Sequence, residues 1–162
     1  MTDEEAERLI EDTLYDRRHE EKETCFVVNN AGLELLNCTE EVLPLIEDVL
    51  LRDVVRPTVA EDGSSLRRRF RGLDYVWGAY LVISAKSCPE RAIAFLREMP
   101  ESLLAEAVAA FGMFFRRMDD GGYNFGTPPG NPLVEFVREL TNTESERLRT
   151  IATRVLQQLE VR

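Results

Sequence analysis

The segment Tyr75-Val76-Trp77-Gly78-Ala79-Tyr80-Leu81-Val82-Ile83-Ser84-Ala85 decides how the rest of the chain is read. Its β-branched and aromatic residues suit a buried strand, and an uninterrupted apolar run has no period that would separate strand from helix. The surroundings settle the choice. Nothing nearby reads as a second strand, and a lone strand would leave its backbone N–H and C=O groups unpaired inside the protein. A helix pairs those groups within the segment. The prediction is a helix over 73–86, apolar nearly all round.

Outward from this segment the dominant period is helical. Leu103, Leu104, Ala107, Val108, Phe111, Phe114, Phe115 and Met118 form a stripe, while Ala105, Ala109, Ala110 and Gly112 on the other face predict cover on more than one side. Leu148, Ile151, Ala152, Val155, Leu156 and Leu159 make one clean one-sided stripe. Three start signals punctuate this half: Ser87 with Glu90 around Pro89, Asn131 before Pro132, and Thr143 with Glu146. They predict helices over 88–99 (closed by Pro100), 132–141 and 143–160, with another over 101–118. Toward the N-terminus, Thr2 with Glu5 is a capping box that opens a helix to about Lys22, with Ala6, Leu9, Ile10 and Leu14 on one side. Further helices are expected over 23–36 and 39–55, the latter tolerating Pro44 because it falls within about the first turn.

The expected fold class is therefore all-α, one domain of 162 residues with about eight helices in four αα-hairpins. The hairpins pair 2–22 with 23–36, 39–55 with 73–86, 88–99 with 101–118, and 132–141 with 143–160. In domain terms, an acidic part (1–55) and a loop (56–72) lead into a helical core (73–118), followed by a loop (119–131) and a C-terminal hairpin (132–162). A chain of this length buries roughly 68–70% of its unfolded surface, enough for a core without metal or disulfide staples. Ile93-Ala94-Phe95-Leu96-Arg97-Glu98-Met99 is echoed 41 residues later by Val134-Glu135-Phe136-Val137-Arg138-Glu139-Leu140, with Phe, Arg and Glu identical. A helix pair repeating at roughly 40–47 residues resembles the HEAT/armadillo class of α-solenoids, mainly over 88–160. The resemblance implies a short α-α superhelix that binds along a helix-lined groove, and it implies no reaction. The first two hairpins depart from the period, so an irregular helical bundle stands beside it.

Thirty acidic residues face twenty basic ones, and the net charge of −10 is local: residues 1–55 hold 16 acidic and 5 basic residues, whereas 131–162 hold five of each. A surface of that sign repels nucleic-acid phosphates and membrane headgroups, and speeds encounter with a basic partner. No apolar run approaches the ~20 residues of a membrane helix. The opening Met1-Thr2-Asp3-Glu4-Glu5 is unlike a secretory signal. Cys25, Cys38 and Cys88 form no CxxC pair and read as reduced, buried structural thiols of a cytoplasmic protein. The expected partner is thus a basic protein; nucleic acid, membrane and cofactor are not expected.

Motifs for catalysis are sparse. The single histidine, His19, sits among charges, and one His excludes HExxH zinc sites and paired Glu-x-x-His di-iron motifs. Glu4-x-x-Glu7 and Glu20-x-x-Glu23 resemble the first metal-binding element of all-helical pyrophosphohydrolases. No Glu in residues 1–55 has Asp three positions on, so the second element is missing. A small metal-dependent enzyme with an acidic site on the N-terminal helices is the alternative reading, but no catalytic residue and no metal ligand is assigned. The partner-binding candidates are Asp12, Asp16 and Glu20 in the acidic first helix, Arg67, Arg68 and Arg69 in the basic run of 56–72, and Tyr123 and Phe125 in the glycine-rich loop. The leading expectation is a non-enzymatic helical-repeat protein for protein–protein interaction. Its sharper form is an acidic immunity or inhibitor protein for a basic toxin enzyme.

Overall fold

The computed structural model describes residues 1–15, 29–52, 72–115 and 130–160, and every regular element among them is helical. In order they are α1 (Asp3–Leu14), α2 (Asn30–Leu36), a 3-10 turn (Glu40–Val42), α3 (Leu43–Leu51), α4 (Gly72–Ser87), α5 (Pro89–Arg97), α6 (Glu101–Phe114), α7 (Pro132–Leu140) and α8 (Glu146–Glu160). The segment that admitted two readings is α4, and it is a helix. From 72 to 84 every residue is buried except the half-buried Tyr75. The missing polar face has a simple cause: α1, α2, α3, α5 and α6 all pack against α4, so no side is left to solvent. Leu81, Val82 and Ile83 are at most 3% exposed, each burial stabilising the fold by roughly 1.5–3 kcal/mol.

Two glycines allow neighbours to come this close. A Cβ on Gly72 would lie 2.3 Å from the Leu14 carbonyl oxygen, so the start of α4 rests directly on the end of α1. A Cβ on Gly78 would lie 2.5 Å from the Phe114 ring, which packs α6 onto the α4 backbone. Buried apolar side chains from Ala6 to Leu159 form one contiguous cluster around this axis.

The helices α2, α4, α6 and α8 form an unbroken row, each packed on the next. Beside it, α1 packs on α3 and α5 packs on α7. The pairs α1–α2, α3–α4 and α7–α8 are neighbours as expected, whereas α5 and α6 each find their main neighbours elsewhere: α5 on α4 and α7, α6 on α4 and α8. Phe95 holds α5 to α4 by a tilted stack on Tyr80, centroids 5.2 Å apart. Arg97 holds α5 to α7, with Nη2 donating to Glu139 Oε2 at 2.9 Å and the guanidinium 5.1 Å from the Phe136 ring centroid. The two echoing segments therefore lie side by side. The first and last helices, α1 and α8, bury one stripe each, as their patterns predict.

Capping explains where the elements begin. Thr2 and Glu5 form the expected reciprocal box, and Asn131 Oδ1 accepts from the Leu133 N–H at 3.0 Å. Other boundaries differ from the sequence expectation. Of the helix expected over 23–36, residues 23–28 lie outside the described residues, and α2 begins at Asn30 because Asn29 is extended and accepts from the Gly32 N–H at 2.8 Å. Its Nδ2 donates to the Thr13 carbonyl at 2.8 Å, so one buried amide ties the start of α2 to the end of α1. The helix expected over 39–55 divides into the 3-10 turn and α3, which stops at Arg52, with Pro44 in its first turn. Ser87 is no cap: α4 runs through it, and Cys88 alone separates α4 from α5 at φ −156, ψ 64, without a side-chain cap bond. Pro89 forces this break, since the residue before a proline is pushed out of helical backbone. Nor does Thr143 cap α8, which begins three residues later; Ser145 Oγ accepts from the Leu148 N–H at 3.3 Å and donates to the Glu101 carboxylate. Of the two expected loops, Gly72 already belongs to α4 and Asn131 caps α7, while 56–71 and 119–129 lie outside the described residues.

Candidate interaction surface

Charge and exposed apolar area coincide on α1, α2, the 3-10 turn and α3. The described residues up to 52 carry eleven acidic side chains against Arg8 and Arg52. Asp3, Glu4, Glu7, Glu11 and Asp12 are exposed along α1, Glu34 on α2, Glu40 and Glu41 on the turn, and Asp48 on α3. The exposed large apolar side chains of the described residues (Met1, Tyr15, Leu33 and Leu51) all belong to this same part of the chain.

Two depressions flank α1. The larger, about 450 Å³, lies between the first turn of α1, the end of α2 and the 3-10 turn, with Ala6, Cys38 and Val42 among its lining and Asp3, Glu34 and Glu41 around it. The smaller, about 60 Å³, lies between α1 and α3, where Ile10, Leu45 and Val49 meet Glu7, Glu11 and Asp48. A third depression, about 410 Å³, runs along the outer side of α8 past Arg149, Thr153 and Arg154. Its Arg149 is already engaged: Nη1 donates to the Thr143 and Glu144 carbonyls at 2.8 and 2.9 Å, pinning the connection between α7 and α8.

At the edge of the core, Tyr80, Glu47 and Arg91 form a polar lock between α4, α3 and α5. The Tyr80 hydroxyl donates to Glu47 Oε2 at 2.5 Å, and Arg91 donates to both carboxylate oxygens, from Nε at 3.1 Å and from Nη2 at 2.7 Å. Burial pushes the Glu47 carboxyl up, but the bonds from Arg91 and Tyr80 outweigh it and hold the group below its usual range. Burial and then the Glu47 carboxylate push the Tyr80 hydroxyl well above its ordinary value.

The two described thiols are half-buried rather than fully enclosed. Burial and then Glu34 push Cys38 up, with the chain's amino group pulling the other way. Burial and then Glu40 push Cys88 up, although it sits at the start of α5. Raised in this way, both thiols hold less thiolate at neutral pH than a free cysteine does, and both react more slowly as nucleophiles. Among the described residues no three His, Cys, Asp or Glu side chains converge as a metal site would require, and no helix is long and apolar enough to cross a membrane.

Of the residues singled out in the sequence, Asp12 is exposed on α1 within the acidic face. Asp16, Glu20, Arg67, Arg68, Arg69, Tyr123 and Phe125, like His19 and Cys25, lie outside the described residues. The grouping of Asp3, Glu34 and Glu41 has no sequence signature, since three separate elements supply it. Set against known protein families, curated proteins and solved structures, the chain finds no significant match in any of the three.

Proposed function

We propose that this chain is a non-enzymatic helical interaction protein of the cytoplasm that engages a basic protein through the acidic face of α1–α3. The observation that carries this reading is the coincidence described above: the charge excess and the exposed apolar side chains occupy the same elements. Charge alone is common on a solvated face. Charge around exposed leucines and clefts matches a surface in which steering and burial both contribute to binding. The unbroken row α2–α4–α6–α8 and the side-by-side echo of α5 and α7 support the α-solenoid resemblance. In its sharper form the protein is an inhibitor that neutralises a basic enzyme by covering it.

The test is affinity capture from the native host at low salt, followed by reconstitution with the purified partner and titration between about 0.1 and 1 M NaCl, where the screening length falls from roughly 10 to 3 Å. The expected result is a basic partner whose affinity falls steeply with salt and falls again in the triple variant Glu7→Gln/Glu11→Gln/Asp48→Asn. An acidic partner, or an affinity indifferent to salt and to those substitutions, refutes the proposal.

A further inference from the structure

The cleft between α1, α2 and the 3-10 turn supports a narrower assignment, which rests on the acidic-face reading above. Its lining joins apolar side chains (Met1, Ala6 and Val42) and uncharged polar ones (Thr2, Asn37 and Thr39) to the carboxylates of Asp3, Glu34 and Glu41, and these make different demands on one occupant. A hydrated cation would gain nothing from Ala6 and Val42. A purely apolar side chain would desolvate Asp3, Glu34 and Glu41 without replacing their water, at a cost. A segment whose long basic side chains lay their methylenes along the floor and keep their charge at the rim meets both demands. The volume, about 450 Å³, exceeds that of one side chain and suits a short stretch of chain. Arginine fits the rim better than lysine, because its planar fork can bind a carboxylate through two bonds.

We propose that this cleft seats a basic amphipathic segment of the partner protein, an apolar side chain against Met1, Ala6 and Val42 flanked by arginines that face Asp3, Glu34 and Glu41. Cys38 reports on occupancy. Its thiol lines the floor and is held by the carbonyl of Glu34 at 3.6 Å, so an occupant covers it.

The probe is a synthetic helical peptide with one leucine between arginines a turn away on either side. One control replaces the arginines with glutamine, and the other replaces the leucine with alanine. Binding is followed by calorimetry on the full chain and by the rate at which iodoacetamide alkylates Cys38, read by peptide mapping. The arginine peptide should bind, slow alkylation of Cys38, and lose roughly tenfold in affinity against the exposed double variant Glu34→Gln/Glu41→Gln. Both control peptides should bind more weakly. Equal affinity for the double variant and the parent chain, or unchanged alkylation of Cys38 under saturating peptide, overturns the assignment. Binding lost only in Glu7→Gln/Glu11→Gln/Asp48→Asn leaves the acidic face standing and removes the cleft from it. No binding of any basic peptide at low salt removes both.

Discussion

Replacing Tyr80 with phenylalanine deletes one oxygen from a side chain that is 0% exposed. The ring remains, so its stack on Phe95 and its burial are kept. What is lost is a hydrogen bond to an ionised carboxylate, worth about 1.5–3 kcal/mol. Glu47 keeps both bonds from Arg91 and retains 17% side-chain exposure, so water partly refills the gap. The lower end of the range applies, about 1.5 kcal/mol, which for a chain of this size lowers Tm by about 3–6 °C. Glu47→Gln should cost at least as much, because one carboxylate oxygen becomes an NH2 that cannot accept from Arg91, although Arg91 is 44% exposed and water can take up that bond. The double variant should cost less than the sum of the two, since each substitution removes part of the same bond.

The pH dependence has a definite sign. Glu47 is held below its ordinary value of 4.5 in the folded chain, so its contribution is complete above about pH 4.5 and is lost as pH falls through the folded value. Stability measured by urea unfolding at neutral and acid pH should therefore fall less steeply with acid in both single variants. A Tyr80→Phe cost within 0.5 kcal/mol of zero, or an acid limb identical in Glu47→Gln and the parent, would refute the lock.

Three further substitutions test the packing. Gly78→Ala brings a methyl to 2.5 Å from the Phe114 ring; overpacking of about 1–3 kcal/mol should exceed the gain of up to about 1 kcal/mol in helix propensity, with Phe114→Leu partly restoring Tm. Ser145→Ala should cost about 0.5–2 kcal/mol in chemical denaturation, whereas Thr143→Ala, at the cap position suggested by sequence, should be close to neutral. Ser84 is 0% exposed and its hydroxyl has no hydrogen-bond partner among the described residues, so Ser84→Ala should leave stability unchanged or raise it by up to about 1 kcal/mol in the same assay.

The parts of the fold that could be read from sequence are those fixed by neighbours within a turn or by burial on all sides. Thr2 and Asn131 each bond a backbone N–H two or three residues away, so the residue type and its spacing carry the information. The run 75–85 was legible as a helix because an unpaired strand has no refuge inside an otherwise helical protein. Ser87 misled because the local pattern is indistinguishable from a cap; packing on five neighbours carries α4 past it to the last residue that Pro89 permits. Thr143 and Ser145 compete for one role, and the distant Glu101 favours Ser145. The polar lock joins residues 47, 80 and 91, and no periodicity reports a contact of that separation. For the proposed interaction surface, the acid excess of residues 1–55 was plain, and Asp12 is exposed among those acids. The cleft was not, because its rim is assembled by folding.

The single residue between α4 and α5 leaves that junction no slack. Phe95 and Arg97 reach Tyr80, Phe136 and Glu139 only because the second helix leaves Cys88 at a fixed angle and phase. One residue added to α5 before Phe95 would turn everything after it by about 100° and swing both side chains off their partners. A change of length at this corner has nowhere to be absorbed. Insertions and deletions among related chains should therefore avoid 84–97.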